Sequence, residues 1–103
     1  MVIDLLRRNP AIDGVFCTTD ALAIGAIKAA NDMGKSVPEQ VKVVGFDDTS
    51  ISLHSAPSLT TVHQAVEEFG RLTTELMIDM LNNKPISNTL FQIPVELIVR
   101  HST

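Results

Sequence analysis

The sequence predicts an α/β fold built on a parallel, Rossmann-like sheet, and three observations carry that expectation. Two apolar runs, Gly14-Val15-Phe16-Cys17-Thr18 and Val41-Lys42-Val43-Val44-Gly45-Phe46, read as strands, and each stops abruptly in polar residues, Thr19-Asp20 and Asp47-Asp48-Thr49. Between them, Ala21, Leu22, Ile24, Gly25, Ile27, Ala29 and Ala30 follow a helical pattern. A strand, a helix and a second strand in that order make a parallel pair. Both polar clusters then arrive at the carboxyl ends of neighbouring strands, the border at which open α/β sheets hold their ligands.

The remaining elements follow in chain order. Val2, Ile3, Leu5 and Leu6 have the spacing of an amphipathic helix that stops before Asn9-Pro10, because the residue before proline disfavours the α region. Nothing caps its start, so the chain reads as beginning within an element. Asp20 is the expected N-cap of the next helix, Gly34 its C-terminal stop, and Lys35 to Gln40 the loop into the second strand. Thr49 to Ser58 lacks a period and is expected to be irregular, whereas the β-branched Leu59-Thr60-Thr61-Val62-His63 is extended. Val66, Phe69, Leu72, Leu76, Met77, Met80 and Leu81 predict a long helix that Asn82-Asn83-Lys84-Pro85 ends. The tail from Thr89 to Arg100 reads as two strand segments broken at Pro94, which cannot donate a ladder bond.

Composition narrows the function. At 103 residues, 45% of them hydrophobic and 19% charged, the chain is at most one domain with a packed core and no signature of disorder. Eight basic against 12 acidic residues give a formal charge of −4, the wrong sign for gripping phosphates. The single cysteine, Cys17, excludes an internal disulfide, reads as core, and fits a reducing compartment. No run approaches membrane-spanning length, and Met1-Val2-Ile3-Asp4 lacks the basic start and apolar core of a secretory signal.

Each candidate site has a plainer explanation beside it. A carboxylate at a strand end can accept two hydrogen bonds from adjacent hydroxyls of a sugar ring, and Asp47 is the leading candidate; Asp47 or Asp48 could equally cap the following turn. Thr19 and Asp20 face the same border, Thr19 as a hydroxyl for a polar ligand, Asp20 as a ligand contact or as the helix cap. Gln64 offers a neutral donor and acceptor, or is a solvated first-turn residue. Asp13, Asp20, Asp47 and Asp48 raise a magnesium site and with it a phosphotransfer or hydrolase domain, but no lysine terminates a strand. His54, His63 and His101 lack paired ligand spacing, the serines lack a nucleophile elbow, and no phosphate-binding glycine motif is present. The reading therefore calls for no metal, cofactor or catalytic group.

Taken together, Asp13 to Ala26, Val37-Pro38, Val43 to Thr49 and Pro57 to Gln64 resemble, in order and spacing, the lactose-repressor (LacI/GalR) family of bacterial transcriptional regulators. The resemblance runs the length of the chain and covers the C-terminal part of the family's effector-binding core. It implies a fragment of a two-lobed fold like that of the periplasmic sugar-binding proteins (type I), non-enzymatic and cytoplasmic, in which a small effector, a sugar or related small polar molecule, binds in the cleft. Operator DNA would be bound only through an N-terminal helix-turn-helix outside this chain. A transport-associated sugar-binding protein, which shares those lobes, is the alternative.

The resemblance further implies roles for single residues. It places effector-hydroxyl contacts at Asp47 and at Thr19, where relatives often carry asparagine, and a cleft-lining glutamine at Gln64. It implies a homodimer contact through Ile24, Ile51, Leu53 and His54. It also implies that residues 1–58 belong to the C-terminal lobe, 59–94 to the crossover and N-terminal-lobe elements, and 95–103 to the return strand. The apolar faces of the long helix and of Leu90 to Ile93 are then expected to be exposed in an isolated chain, which should dimerise, swap elements or repack.

Overall fold

A computed structural model describes residues 2–103, in the order α1 (Val2–Arg8), β1 (Gly14–Phe16), α2 (Asp20–Asp32), β2 (Lys42–Asp47), α3 (Ser50–His54), β3 (Thr60–Gln64), α4 (Val66–Leu81) and β4 (Val95–Ile98). The strands form one sheet in the order β1-β2-β3-β4. β2 pairs in parallel with β1, Val15 beside Val43, and with β3, Phe46 beside Val62. The predicted α/β class with a parallel sheet is the observed one.

The chain divides into two compact units, residues 2–63 with 96–103, and Gln64–Val95. In the first unit the core lies between α2 and one face of the sheet. Cys17, Ala23, Ala26, Ile27, Val41, Val43 and Leu59 are buried together, with Val2, Val15, Ile24 and Val37 against them. The two-residue period of β2 turns Val41, Val43 and Gly45 inward and leaves Val44 and Phe46 half-buried on the other face. Each fully buried valine or leucine here contributes roughly 1.5–3 kcal/mol. Helix α2 offers alanines at its buried positions Ala23, Ala26, Ala29 and Ala30, so its backbone approaches the sheet closely.

Its ends are chemically marked. Thr19, not Asp20, is the N-cap, its hydroxyl accepting from the Leu22 amide at 3.3 Å, and Asp20 is the first helical residue. Both types cap well. Gly34 stops the helix as expected: its φ is 73°, and the Gly34 and Lys35 amides return to the Asn31 and Ala30 carbonyls at 2.9 and 3.0 Å, a Schellman closure.

Two other expectations are corrected. Thr49 to Ser58 contains the five-residue helix α3, too short to show a period. Leu90 to Ile93 is not a strand, and only Val95–Ile98 pairs into the sheet; apolar and β-branched content alone does not supply a neighbouring ladder.

In the second unit α4 has no buried residue. Val66, Phe69, Met77 and Met80 are all more than 60% exposed, and the half-buried Leu72 and Leu76 line a groove with Thr89, Leu90, Phe91 and Ile93. The expected exposure of this apolar face is observed. Arg71 bridges Glu68 and Glu75 on the same helix at 2.7 Å each, exposed pairs of small energetic weight.

Gly45 is where the first unit is tightest. A Cβ there would collide with the Asp20 carboxylate and come within 2.8 Å of a Leu59 methyl and 3.3 Å of Ala23 Cβ. Gly45→Ala is expected to destabilise the fold by about 1–3 kcal/mol, read as a lower urea midpoint at unchanged slope; an unaltered midpoint would show that α2 can draw back without cost.

Candidate functional site

The two polar clusters meet. Because β1 and β2 run in parallel, with the Cys17 amide continuing the ladder to the Val44 carbonyl at 2.8 Å, residues 18–20 and 47–49 leave the sheet at one border. The join is direct: the Thr49 amide and hydroxyl both donate to Asp20 Oδ2, at 2.7 and 2.9 Å. The Thr61 hydroxyl, on the neighbouring strand, donates to Asp20 Oδ1 and accepts from the Asp48 amide at 3.4 Å. Asp20 is buried, at 1% exposure, and both its oxygens point at this chain's own donors. Its geometry is that of an internal tie, which separates it from the cap and from a group presented to a ligand.

Asp47 is the other carboxylate expected at this border. It is half-buried at the end of β2, opposite His63, with φ at 110°, and Asp48 follows with φ at 53°. Both values lie in the region that residues bearing a side chain rarely adopt, so the surroundings must hold the turn. Thr19 is half-buried on the same border, and as N-cap it keeps its hydroxyl hydrogen for a further acceptor. Gln64, the last residue of β3, is half-buried and belongs to the second unit rather than to the first turn of a helix.

A second network holds Asp48. The Arg100 guanidinium donates to Asp48 Oδ1 at 2.7 Å, to Ser52 Oγ at 2.7 Å and to the Leu59 carbonyl at 2.9 Å, while its amide donates to the Thr60 hydroxyl at 2.8 Å. His63 Nδ1 lies 3.0 Å from the other Asp48 oxygen. Arg100 holds the Asp48 carboxyl below the ordinary carboxylate range; partial burial opposes this and the His63 bond adds to it. Sequence reasoning missed Arg100, Thr61, Thr49 and Ser52. The one signal available was an arginine directly after the apolar run Leu97-Ile98-Val99.

The other expected residues are placed as follows. Ile24 is half-buried against the core, whereas Ile51, Leu53 and His54 are exposed on α3. Cys17 is buried, which pushes its thiol above the usual range and suits packing rather than nucleophilic chemistry. Among the described residues no three His, Cys, Asp or Glu side chains converge on a cation position.

The chain belongs to the family of periplasmic binding protein-like domains, which it matches over residues 2–103. Among its relatives it is 41% identical over 99 residues to the ribose operon repressor of Halalkalibacterium halodurans and 33% identical to the transcriptional regulator CelR of Thermobifida fusca. These matches take in 96% of the chain and 30% and 29% of the relatives, so the chain spans about a third of their length. Its structure superposes on a CelR–cellobiose complex with a TM-score of 0.93 at 32% identity, over 99% of the chain and 31% of that one. On the lac repressor dimer bound to operator and an anti-inducer the score is 0.87 at 27% identity, over 99% and 35%. The matched relatives are LacI-family transcriptional regulators, as the sequence resemblance implied.

The Arg100–Asp48 pair yields a signed pH expectation. Since the folded pKa of Asp48 is depressed, its contribution is full above the unfolded value, near 3.9, and is lost as pH falls through the folded value. Arg100→Gln should cost about 2 kcal/mol at pH 7 and flatten the acid limb of stability against pH in urea unfolding; a parallel, merely displaced curve would assign that limb to other groups.

Proposed function

We propose that this chain is the effector-sensing part of a LacI-type transcriptional regulator, non-enzymatic and cytoplasmic, and that ligand bound at the rim alters the operator affinity of a separate DNA-binding domain. One observation supports it above the rest: Thr19 and Asp47 leave the sheet at a single border, joined through Asp20 and Thr49, in a fold that superposes on a cellobiose-bound regulator. Asp47 would accept hydrogen bonds from adjacent hydroxyls of a sugar, and charge assistance strengthens both. Thr19 would supply one more hydroxyl. Gln64 is proposed as a further contact on the family resemblance alone. A homodimer through Ile24, Ile51, Leu53 and His54 is part of the same proposal, and the exposure of the last three supports it.

The mechanism is a shift of population. A ligand that binds one arrangement of the core more tightly than another favours it by the difference in affinity, and the operator affinity follows by linkage. The regulator reading is favoured over transport because the relatives matched are repressors and regulators. It is favoured over magnesium-dependent chemistry because Asp20 and Asp48 spend their oxygens on hydroxyls, amides and a guanidinium.

The test uses the whole regulator that contains this chain. Operator binding is followed by fluorescence anisotropy while D-ribose, cellobiose or lactose is added. Asp47→Asn should raise the sugar concentration for half-maximal response about tenfold or more, with sugar-free operator affinity unchanged. An identical response in the variant rejects Asp47 as the anchor.

A further inference from the structure

We propose that Asp20 is the positioning residue of the effector rim: its buried carboxylate, acting through Thr49 and Thr61, holds residues 47–49 in the conformation that presents Asp47. The inference rests on the reading of Asp47 as the effector anchor. It concerns a residue that the same border would otherwise suggest as a contact in its own right.

The turn after β2 does not hold itself. Asp47 at φ 110° and Asp48 at φ 53° occupy backbone regions that a side-chain-bearing residue leaves when released. The two amides that follow Asp47 are both tethered to the same group. The Thr49 amide reaches Asp20 Oδ2 directly at 2.7 Å, reinforced by its hydroxyl at 2.9 Å, and the Asp48 amide reaches Oδ1 through the Thr61 hydroxyl. Asp20 and Thr61 are buried at 1% and 0% exposure, so releasing the turn would leave their polar atoms with no water to replace it. Gly45 leaves the space in which the carboxylate sits.

Direction matters as much as strength. Asp20 is the first residue of α2 and its predecessor Thr19 is the N-cap, so one carboxylate sets where Thr19 stands relative to the strand that carries Asp47. An asparagine at this position accepts through one oxygen only. With its Oδ1 toward the Thr49 donors, its amide nitrogen faces the Thr61 hydroxyl, which has lone pairs for that N–H and for the Asp48 amide but whose own hydrogen then loses Asp20 as its acceptor. Both tethers then lose the charge assistance of the carboxylate while the shape of the side chain is kept.

Two readouts on the full regulator separate positioning from general stability. The first needs no effector: amide hydrogen exchange by NMR, well below the melting temperature. Asp20→Asn or Thr61→Val should speed exchange at Asp48 and Thr49 at least tenfold relative to Val43 and Val44, and Thr61→Ser, which restores the hydroxyl, should return it to the wild-type rate. The Thr61 pair decides the question if Asp20→Asn fails to fold. Uniform acceleration across β2, or none at Thr49, overturns the inference.

The second readout is the apparent Kd of whichever of D-ribose, cellobiose or lactose moves the wild-type protein on its operator. Thr61→Val should weaken it about tenfold, and that loss should vanish in an Asp47→Asn background, because both act through one contact. Additive losses overturn the inference while leaving Asp47 as the anchor. An Asp47→Asn protein that binds as wild type, or a wild type that answers none of the three sugars, instead sinks the effector reading, and exchange alone then decides whether Asp20 positions the turn.

Discussion

A single buried carboxylate ties together the border where the two polar clusters meet. Asp20 sits where α2 meets the sheet, withdrawn from solvent, and a group of that kind persists in a fold only when its hydrogen-bonding capacity is met. It is met by donors 29 and 41 residues further along the chain, from the turn after β2 and from β3. Three segments that sequence keeps apart are thereby fixed to one point. The conditions for this arrangement extend into the packing: Gly45 must lack a side chain, and the alanines of α2 must let the helix descend far enough to bring Asp20 down to the strands.

The C-terminal residues answer a related demand at the other end of the strands. Ser102 is buried, its carbonyl accepting from the Val43 amide at 2.8 Å and its hydroxyl donating to the Val43 carbonyl at 2.6 Å and accepting from the Thr60 amide at 2.8 Å. It thus satisfies backbone groups where β2 and β3 begin their pairing at Val44 and Thr60. Arg100, two residues earlier, carries the same segment up to Asp48. Residues 96–103 accordingly pack as part of the first unit although the whole of α4 intervenes in sequence.

Periodicity and strand-end chemistry made much of this legible. The spacing of Val66 to Leu81 marks α4, Gly34 marks the end of α2, and the abrupt change from apolar to polar after Cys17 and Phe46 marks the border where the two clusters converge. The cap of α2 was misplaced by one residue because threonine and aspartate are both good caps; only burial separates Thr19 at the helix start from Asp20 beneath it. Arg100 and Thr61 were invisible for a different reason. Their partners, Asp48 and Asp20, lie 52 and 41 residues away, and no local pattern encodes a contact over that distance. The failed strand at Leu90 to Ile93 makes the same point in reverse, since apolar residues became a groove lining where no ladder was offered.

The proposed sensing role can be weighed against what a switch requires. Two charge-assisted hydrogen bonds from a sugar to Asp47 contribute roughly 1.5–3 kcal/mol each at most, and a neutral bond from Thr19 about 1 kcal/mol. Driving a two-state equilibrium from one per cent to ninety-nine per cent takes about 5.5 kcal/mol of difference between the states, not of total affinity. The rim reaches that figure only if nearly all its bonds are absent in the disfavoured state. Rigid presentation is what makes such contrast attainable, because an Asp47 free to follow the ligand would bind both states alike and shift neither. On this reading the buried carboxylate serves discrimination more than affinity: by denying Asp47 any freedom to adapt, Asp20 makes binding conditional on where the rest of the core stands.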